Sequence, residues 1–250
     1  MKNKGQIALW VIVAALLVAA ILLTYLVQRG PPVIEVKEFG VESYMQGCAI
    51  DAVNEAVDKM LPQGGFLAPE NYVIYNSTKI EYLCENPGFF KTCRNQHPML
   101  INEMKKEIES YIKPVIKQCF ENKKKEIAGK GGTMETGEMN LSVSMAPGRV
   151  FVNILQDTKI TMNEQTSTFN EFDAEVINPI YDLGNAAIDI ANSEAKYCSF
   201  QYLGYMAVYQ DLDIKVIRLS SQNKIYLIED KNSGRILNIA IRSCAIPTGI

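Results

Sequence analysis

The sequence predicts an α+β protein in which an N-terminal transmembrane helix is followed by an ectodomain of about three helices and antiparallel β-hairpins. Three observations carry this expectation. No charged side chain occurs between Lys4 and Arg29, and Thr24 is the one polar residue from Ile7 to Val27. Further on, apolar residues recur at three- and four-residue steps in three stretches, the period of a helix buried along one stripe. Between residues 138 and 172, and again after 210, the period falls to two on either side of turn-forming residues, which reads as hairpins. Helices segregated from hairpins make the α+β class.

The first element is the apolar run. Its 21 residues would form a helix of about 31 Å, the thickness of a bilayer's hydrocarbon core. A cleavable secretory signal has a shorter apolar region that ends at a small-x-small site, and the last turn here, Ile21-Leu22-Leu23-Thr24-Tyr25-Leu26, has none. Lys2 and Lys4 precede the run and Arg29 and Lys37 follow it, which favours a cytoplasmic N-terminus and an outward C-terminal domain. Trp10 and Tyr25 lie near its two ends, the headgroup level of such a helix. The expected division is a cytoplasmic tip and signal-anchor helix over residues 1–30 and an extracytoplasmic domain over 31–250. Within that domain the helical part covers about 31–125 and the mixed part about 138–250.

Lys4-Gly5-Gln6, directly ahead of the apolar run, resembles the processing site of archaeal class III signal peptides, the pilin-type signals. The resemblance implies cleavage between Gly5 and Gln6 and a helix that stays on the mature protein as its anchor or filament core. Trp10 stands where that family commonly carries glutamate. The wider layout is similar to membrane-anchored archaeal surface proteins, a likeness that implies no activity. A plain signal anchor with a fortuitous Gly-Gln is the competing reading.

Pro31-Pro32 breaks the run, since neither residue can donate to a helix ladder. Met45, Cys48, Ala49, Ala52, Val53, Ala56 and Met60 then mark an amphipathic helix from about Glu35 to Met60, ended by Leu61-Pro62-Gln63-Gly64-Gly65. Residues 63–98 read as an irregular excursion with a short extended stretch at 72–75. Ile101, Met104, Ile108, Ile112, Val115 and Cys119 mark a second helix, about Pro98 to Asn122, with Pro114 expected to kink it. Lys123 to Gly137 reads as a charged, glycine-bearing linker that includes Gly129-Lys130-Gly131-Gly132.

Leu141, Val143 and Met145 alternate up to the turn Ala146-Pro147-Gly148-Arg149, and Val150, Val152 and Ile154 alternate after it. Lys159 to Asn163 and Ser167 to Phe172 are further strands. A third helix is expected from about Ala174 to Lys196. An aromatic stretch from Tyr197 to Tyr209, a strand at 212–216 and a closing hairpin, Lys224 to Glu229 with Arg235 to Arg242, complete the chain.

All six cysteines lie beyond the apolar run, and an even count on an outward side favours disulfides. Cys48 and Cys119 each occupy the apolar stripe of a long helix, Cys84 and Cys93 flank a short Asn-Pro-Gly loop, and Cys198 and Cys244 remain. Two reduced core thiols at Cys48 and Cys119 are the alternative. Asn76 and Asn140 head glycosylation sequons.

The sequence supplies no catalytic, cofactor or metal signature. Its single histidine, His97, precedes a proline at a helix start, and no Cys-x-x-Cys pair or Gly-x-Ser-x-Gly elbow is present. The pairs Glu135/Glu138 and Glu171/Asp173 would need a fold that gathers them in one cleft to act as acid and base. Past residue 30 there are 22 basic and 28 acidic side chains, a balance of −6, which excludes a strongly basic nucleic-acid binder. The Tyr197–Tyr209 stretch is the best candidate contact surface.

The expectation is therefore a non-catalytic, single-pass membrane-anchored surface protein, pilin-like or accessory to an envelope assembly. Its partners would be the lipid bilayer and, through the N-terminal helix, copies of itself or other envelope proteins. It would use no cofactor and no nucleic acid. The alternative is a monomeric ligand-binding or sensory ectodomain, with a tethered hydrolase third.

Overall fold

The computed structural model describes Val18 and residues 40–88, 91–219 and 222–242. The chain divides into two units, Met1–Gly40 and Val41–Ile250, and the elements that follow belong to the second. Helix α1 (Val41–Met60) buries Val41, Met45, Ala49, Ala52, Val53, Ala56, Val57 and Met60 along one stripe. It runs into a 3-10 turn, Leu61–Gln63, and then into Gly64 and Gly65 at positive φ. Side chains are excluded there, because a Cβ on Gly64 would lie 2.8 Å from the Glu81 Cβ and one on Gly65 would lie 2.1 Å from the Met104 Cε.

Helix α2 (Leu100–Gly129) buries Leu100, Met104, Ile108, Ile112, Ile116, Phe120, Lys123 and Ile127, and it contains Pro114. It continues past the expected end at Asn122, so the linker expected over 123–137 is corrected. Lys, Glu, Ile and Ala sustain a helix. Lys123 continues the buried stripe because its ammonium meets Glu126 at 3.0 Å and lies over the Tyr44 ring, 5.0 Å from the centroid. The glycine-rich motif is a tight turn, in which Lys130 and Gly132 both donate to the Ile127 carbonyl at 3.1 and 3.0 Å.

That turn leads into the first sheet, of β4 (Thr133–Thr136), β5 (Asn140–Ala146), β6 (Arg149–Met162) and β7 (Gln165–Ile177). Strand β6 pairs on one side with β4 and β5 in succession and on the other with β7, all antiparallel. Val150, Val152, Ile154 and Ile160 of β6 and Phe172, Ala174 and Val176 of β7 point inward. The pair α1 and α2 packs together and covers that inner face. The short strands expected at 159–163 and 167–172 are therefore the distal ends of one long hairpin.

The second sheet contains β1 (Tyr72–Tyr75), β2 (Thr78–Glu85), β3 (Arg94–Asn95), β8 (Leu212–Arg218), β9 (Asn223–Asp230) and β10 (Ile236–Arg242), in the order β1-β2-β10-β9-β8 with β3 beside β2. Strand β2 was hidden in the expected irregular excursion. Its five residues from Ile80 to Cys84 are all buried, so both faces are covered and no alternation marks it. Helix α3 (Ile180–Tyr197) packs on β2, β9 and β10, and α4 (Tyr202–Val208) sits beside β8.

The expected fold class is corrected in three respects. The described residues from Gly40 onward form four α-helices and ten strands rather than three helices and hairpins. The second sheet is mixed, because β2 and β10 run parallel. Among the described residues no helix is long and apolar enough to cross a membrane. The run 7–27 lies outside the described residues except for Val18, which is helical.

Cys48 of α1 is bonded to Cys119 of α2, with Cα atoms 6.6 Å apart, and Cys84 to Cys93, with Cα atoms 5.4 Å apart. Cys198 is bonded as well, and the one cysteine left to it, Cys244, lies outside the described residues. A bridge across a separation of 71 residues contributes about 4 kcal/mol in the chain-entropy model. Replacing Cys48 and Cys119 together by serine is expected to lower the urea unfolding free energy by about that amount, against about 2.5 kcal/mol for the Cys84/Cys93 pair.

Candidate functional site

The site begins at the junction of β7 and α3. Asn178 is fully buried. Its backbone N–H donates to the Gly148 carbonyl at 2.9 Å, its Oδ1 accepts from the Ile180 N–H at 3.1 Å, and its Nδ2 donates to Asn54 Oδ1 at 3.2 Å. Asn54 Oδ1 also accepts from Arg235 Nη2 at 2.9 Å, while Arg235 Nε donates to Asp58 at 3.1 Å. The backbone of Asn178 thus holds the β5–β6 turn, its side chain joins the start of α3 to helix α1, and Asn54 extends the link through Arg235 to the β9–β10 turn. The Asn-Pro dipeptide is the turn signal that marks it in the sequence. It also corrects the third helix, which starts at Ile180 because Ala174 to Ile177 belong to β7.

Above this junction lies a cleft of about 780 Å³ between α3, α4 and the two turns. Four carboxylates line it, Asp182, Asp189, Asp211 and Asp230, and no lysine or arginine does. Asp182 accepts from the Gly148 N–H at 2.7 Å, Asp189 from the Tyr205 hydroxyl at 2.9 Å, and Asp230 from the Ser233 N–H and hydroxyl at 2.8 and 2.6 Å. Ile177, Val208 and Tyr209 form an apolar edge, exposed to 83%, 74% and 50%.

Helix α4 buries none of its residues although its sequence is Tyr-Leu-Gly-Tyr-Met-Ala-Val. Tyr202, Tyr205 and Met206 are half-buried, whereas Leu203, Ala207 and Val208 face solvent. Besides the Tyr205 hydroxyl on Asp189 of α3, two contacts hold it in place. The Ile214 N–H on the outer side of β8 is directed at Met206 Sδ at 3.0 Å, which caps a strand edge that would otherwise invite pairing. Tyr205 lies between Phe200 and Tyr209, with centroids 5.2 and 4.4 Å away. The aromatic stretch is thus divided: Phe200 packs inward on Tyr226 of the sheet and Tyr205 packs on Phe200, while Tyr197, Leu203, Val208 and Tyr209 stand out.

Beneath α4 a buried ionic group anchors the end of α3. Glu194 is fully buried and its two oxygens accept from Lys224 Nζ at 2.7 and 2.8 Å and from the Tyr226 hydroxyl. Lys224 also donates to the Cys198 carbonyl at 3.0 Å. Burial first, and then the Glu194 carboxylate, hold the Tyr226 phenol well above the ordinary tyrosine range. Burial and the hydrogen bond to Asp189 raise Tyr205 in the same direction.

The other residues singled out by sequence are dispersed. His97 sits between carboxylates, Nδ1 at 2.6 Å from Glu103 and Nε2 at 3.5 Å from Glu81. Glu81 also accepts the backbone N–H groups of Glu70 and Asn71 at 2.7 and 3.1 Å, so the histidine fastens the loop before β1 to the first turn of α2. Glu171 and Asp173 are exposed and share one donor, Asn153 Nδ2. Glu135 and Glu138 line different clefts. Asn76 is exposed in the β1–β2 turn, where it and Ser77 both adopt positive φ, a conformation that itself favours asparagine. Asn140 is exposed at the start of β5. Gly5 and Gln6 lie outside the described residues. Among the described residues no group of three or more His, Cys, Asp or Glu is arranged to hold a metal ion. No protein-family model matches the chain, and neither a curated protein nor a solved structure matches it.

Asn178→Ala removes the junction's shared partner and is expected to cost about 2 kcal/mol, read as a lower urea midpoint. Glu194→Ala leaves Lys224 and Tyr226 without their carboxylate and is expected to cost about 3 kcal/mol. In alkali, the unfolded tyrosines release their protons near pH 10 while native Tyr205 and Tyr226 retain theirs. The contribution of these two tyrosines is complete below pH 10 and falls as the pH rises through it. Unfolding midpoints from pH 8 to 11, with the phenolate absorbance followed in parallel, check this.

Proposed function

We propose that the protein is a non-catalytic surface protein, tethered at the cell membrane by its N-terminal apolar run, whose disulfide-braced head works by presenting a contact surface in an envelope assembly of pilin-like or accessory type. The observation that carries this reading is α4, an apolar helix with no buried residue, placed at the mouth of a cleft with an apolar edge. Exposed apolar surface of this kind marks contact sites. The tether is supported by the uncharged stretch from Gly5 to Gln28 and by Lys2 and Lys4 ahead of it. The outward placement of the head is supported by two disulfides and a bonded Cys198, since such bonds persist in oxidising surroundings.

A ligand-binding head is the second reading, favoured by the volume of the cleft, about 780 Å³, which is within the range of small-molecule sites. It differs in its requirement: ligand capture leaves the outward face of α4 without a role.

Under the proposal the protein stays with membranes through an alkaline wash and loses its head to protease added outside intact cells, whereas a chain without residues 7–27 is released. Mass analysis of the mature N-terminus is expected to show Met1 to Gly5 removed. A soluble cytosolic chain with six reactive thiols would refute the proposal. Leu203→Asp with Val208→Asp is expected to leave the unfolding midpoint nearly unchanged and to abolish association, because both side chains already face solvent.

A further inference from the structure

We propose that the cleft beside α4 receives the lysine-bearing tip of α2 from a second copy of this chain, so that copies join head to tail. The inference rests on the reading of α4 and its cleft as a contact surface, and it names the partner.

Charge is the first argument. Asp182, Asp189, Asp211 and Asp230 line the cleft, and among the described residues none of the four forms an ion pair. Lys231, next to Asp230, directs its ammonium to the Gln210 carbonyl at 2.7 Å. With four aspartates in its lining and this one ammonium at Gln210, the cleft keeps an excess of negative charge in a partly enclosed space, where water screens it less than on an open surface.

The opposite charge is carried at the far end of α2. Lys117, Lys124 and Lys125 are exposed and form no ion pair among the described residues, and Glu121 is the acid on the same face. Lys130 follows, 61% exposed and paired to Glu126 at 2.6 Å. Shape agrees with charge. Around Lys130 the chain narrows to Ala128, Gly129 and Gly131, and a Cβ placed on Gly129 or Gly131 meets nothing within 4 Å. A slender cationic tip suits a cleft edged by Ile177, Val208 and Tyr209, on which lysine stems can lie while the ammonium groups reach the aspartates and the tyrosine faces.

The tip cannot occupy the cleft of its own chain. Helix α2 passes α3 near its beginning, where Gly184, between the cleft residues Asp182 and Asn185, abuts Ile101 and Met104. From Met104 to Lys124 the helix advances about 30 Å and to Lys130 about 39 Å. The contact must then form between copies and through two different surfaces. Each added copy leaves one cleft and one tip unfilled, which closes as a ring or continues as a filament.

Sedimentation of the full chain in detergent micelles tests this. Wild-type protein is expected to associate as concentration rises, at least tenfold more weakly in 0.5 M than in 0.1 M salt. Lys124→Glu with Lys125→Glu, or Asp211→Lys alone, should weaken association at least tenfold with unchanged urea midpoints. A wild-type chain that stays monomeric at every concentration, or association that ignores both charge variants, would overturn the inference. The contact-surface reading fails separately, being lost only if Leu203→Asp with Val208→Asp also changes nothing. A labelled lysine decapeptide that binds the wild type but not Asp211→Lys, while the chain stays monomeric, would replace the second copy by a foreign basic segment.

Discussion

Asn178 sets where the strand ends, where the helix begins and where two turns meet. A buried amide side chain must meet hydrogen-bond partners within the protein, and that of Asn178 accepts from a helix N–H and donates to Asn54, while its backbone N–H meets the Gly148 carbonyl. Because Asn54 is shared with Arg235, the β9–β10 turn is fixed relative to α1 and to the β5–β6 turn. The lining of the cleft, from Gly148 and Asp182 to Asp230 and Ser233, belongs to the segments so fixed. The site is thus assembled by hydrogen bonds at a strand-to-helix junction and owes its apolar edge to elements that converge there.

Two further devices hold the surrounding scaffold. The α1–α2 pair is clamped by the Cys48–Cys119 bond, whose half-buried cysteines flank the apolar stripes, and this pair forms the lid over the β4–β7 sheet. The other sheet is joined to α3 by the Glu194 carboxylate, which is fully desolvated and saturated by Lys224 and Tyr226. A buried ion pair of this kind adds little net stability over an apolar core, but it tolerates few alternative arrangements. It therefore orients the end of α3, Cys198 and the start of α4, and through them the exposed face of the short helix.

Much of the scaffold was legible because burial on one face leaves a period. The stripe of α1, the alternation around Pro147-Gly148 and the closing hairpin are read from the sequence as they stand in the structure. The period was lost wherever both faces are covered, as in β2, where Tyr82, Leu83 and Cys84 are consecutive buried residues. It misled where charge stood in for apolarity. Lys123, Lys124 and Lys125 looked like a linker, yet the first is a stripe residue that pairs with Glu126 and lies over the Tyr44 ring. Parallel pairing of β2 with β10 leaves no local signature, since the strands are far apart in the sequence. Of the site, the Tyr197–Tyr209 stretch could be located from composition, whereas the four aspartates come from α3, the β8 approach and β9 and meet only in three dimensions.

The position of β10 between β2 and β9 sets a condition on biogenesis. Strand β2 is made early and its parallel neighbour last, some 150 residues later, an interval of roughly 8–30 s at ordinary synthesis rates. During that time the nascent chain carries a strand with one long edge unpaired, and only the nearby β1 turn and the Cys84–Cys93 loop can organise it locally. Until β10 has been made the nascent chain therefore has no complete second sheet to offer, and the edge of β2 that β10 covers in the native protein stays open to other pairings for that interval.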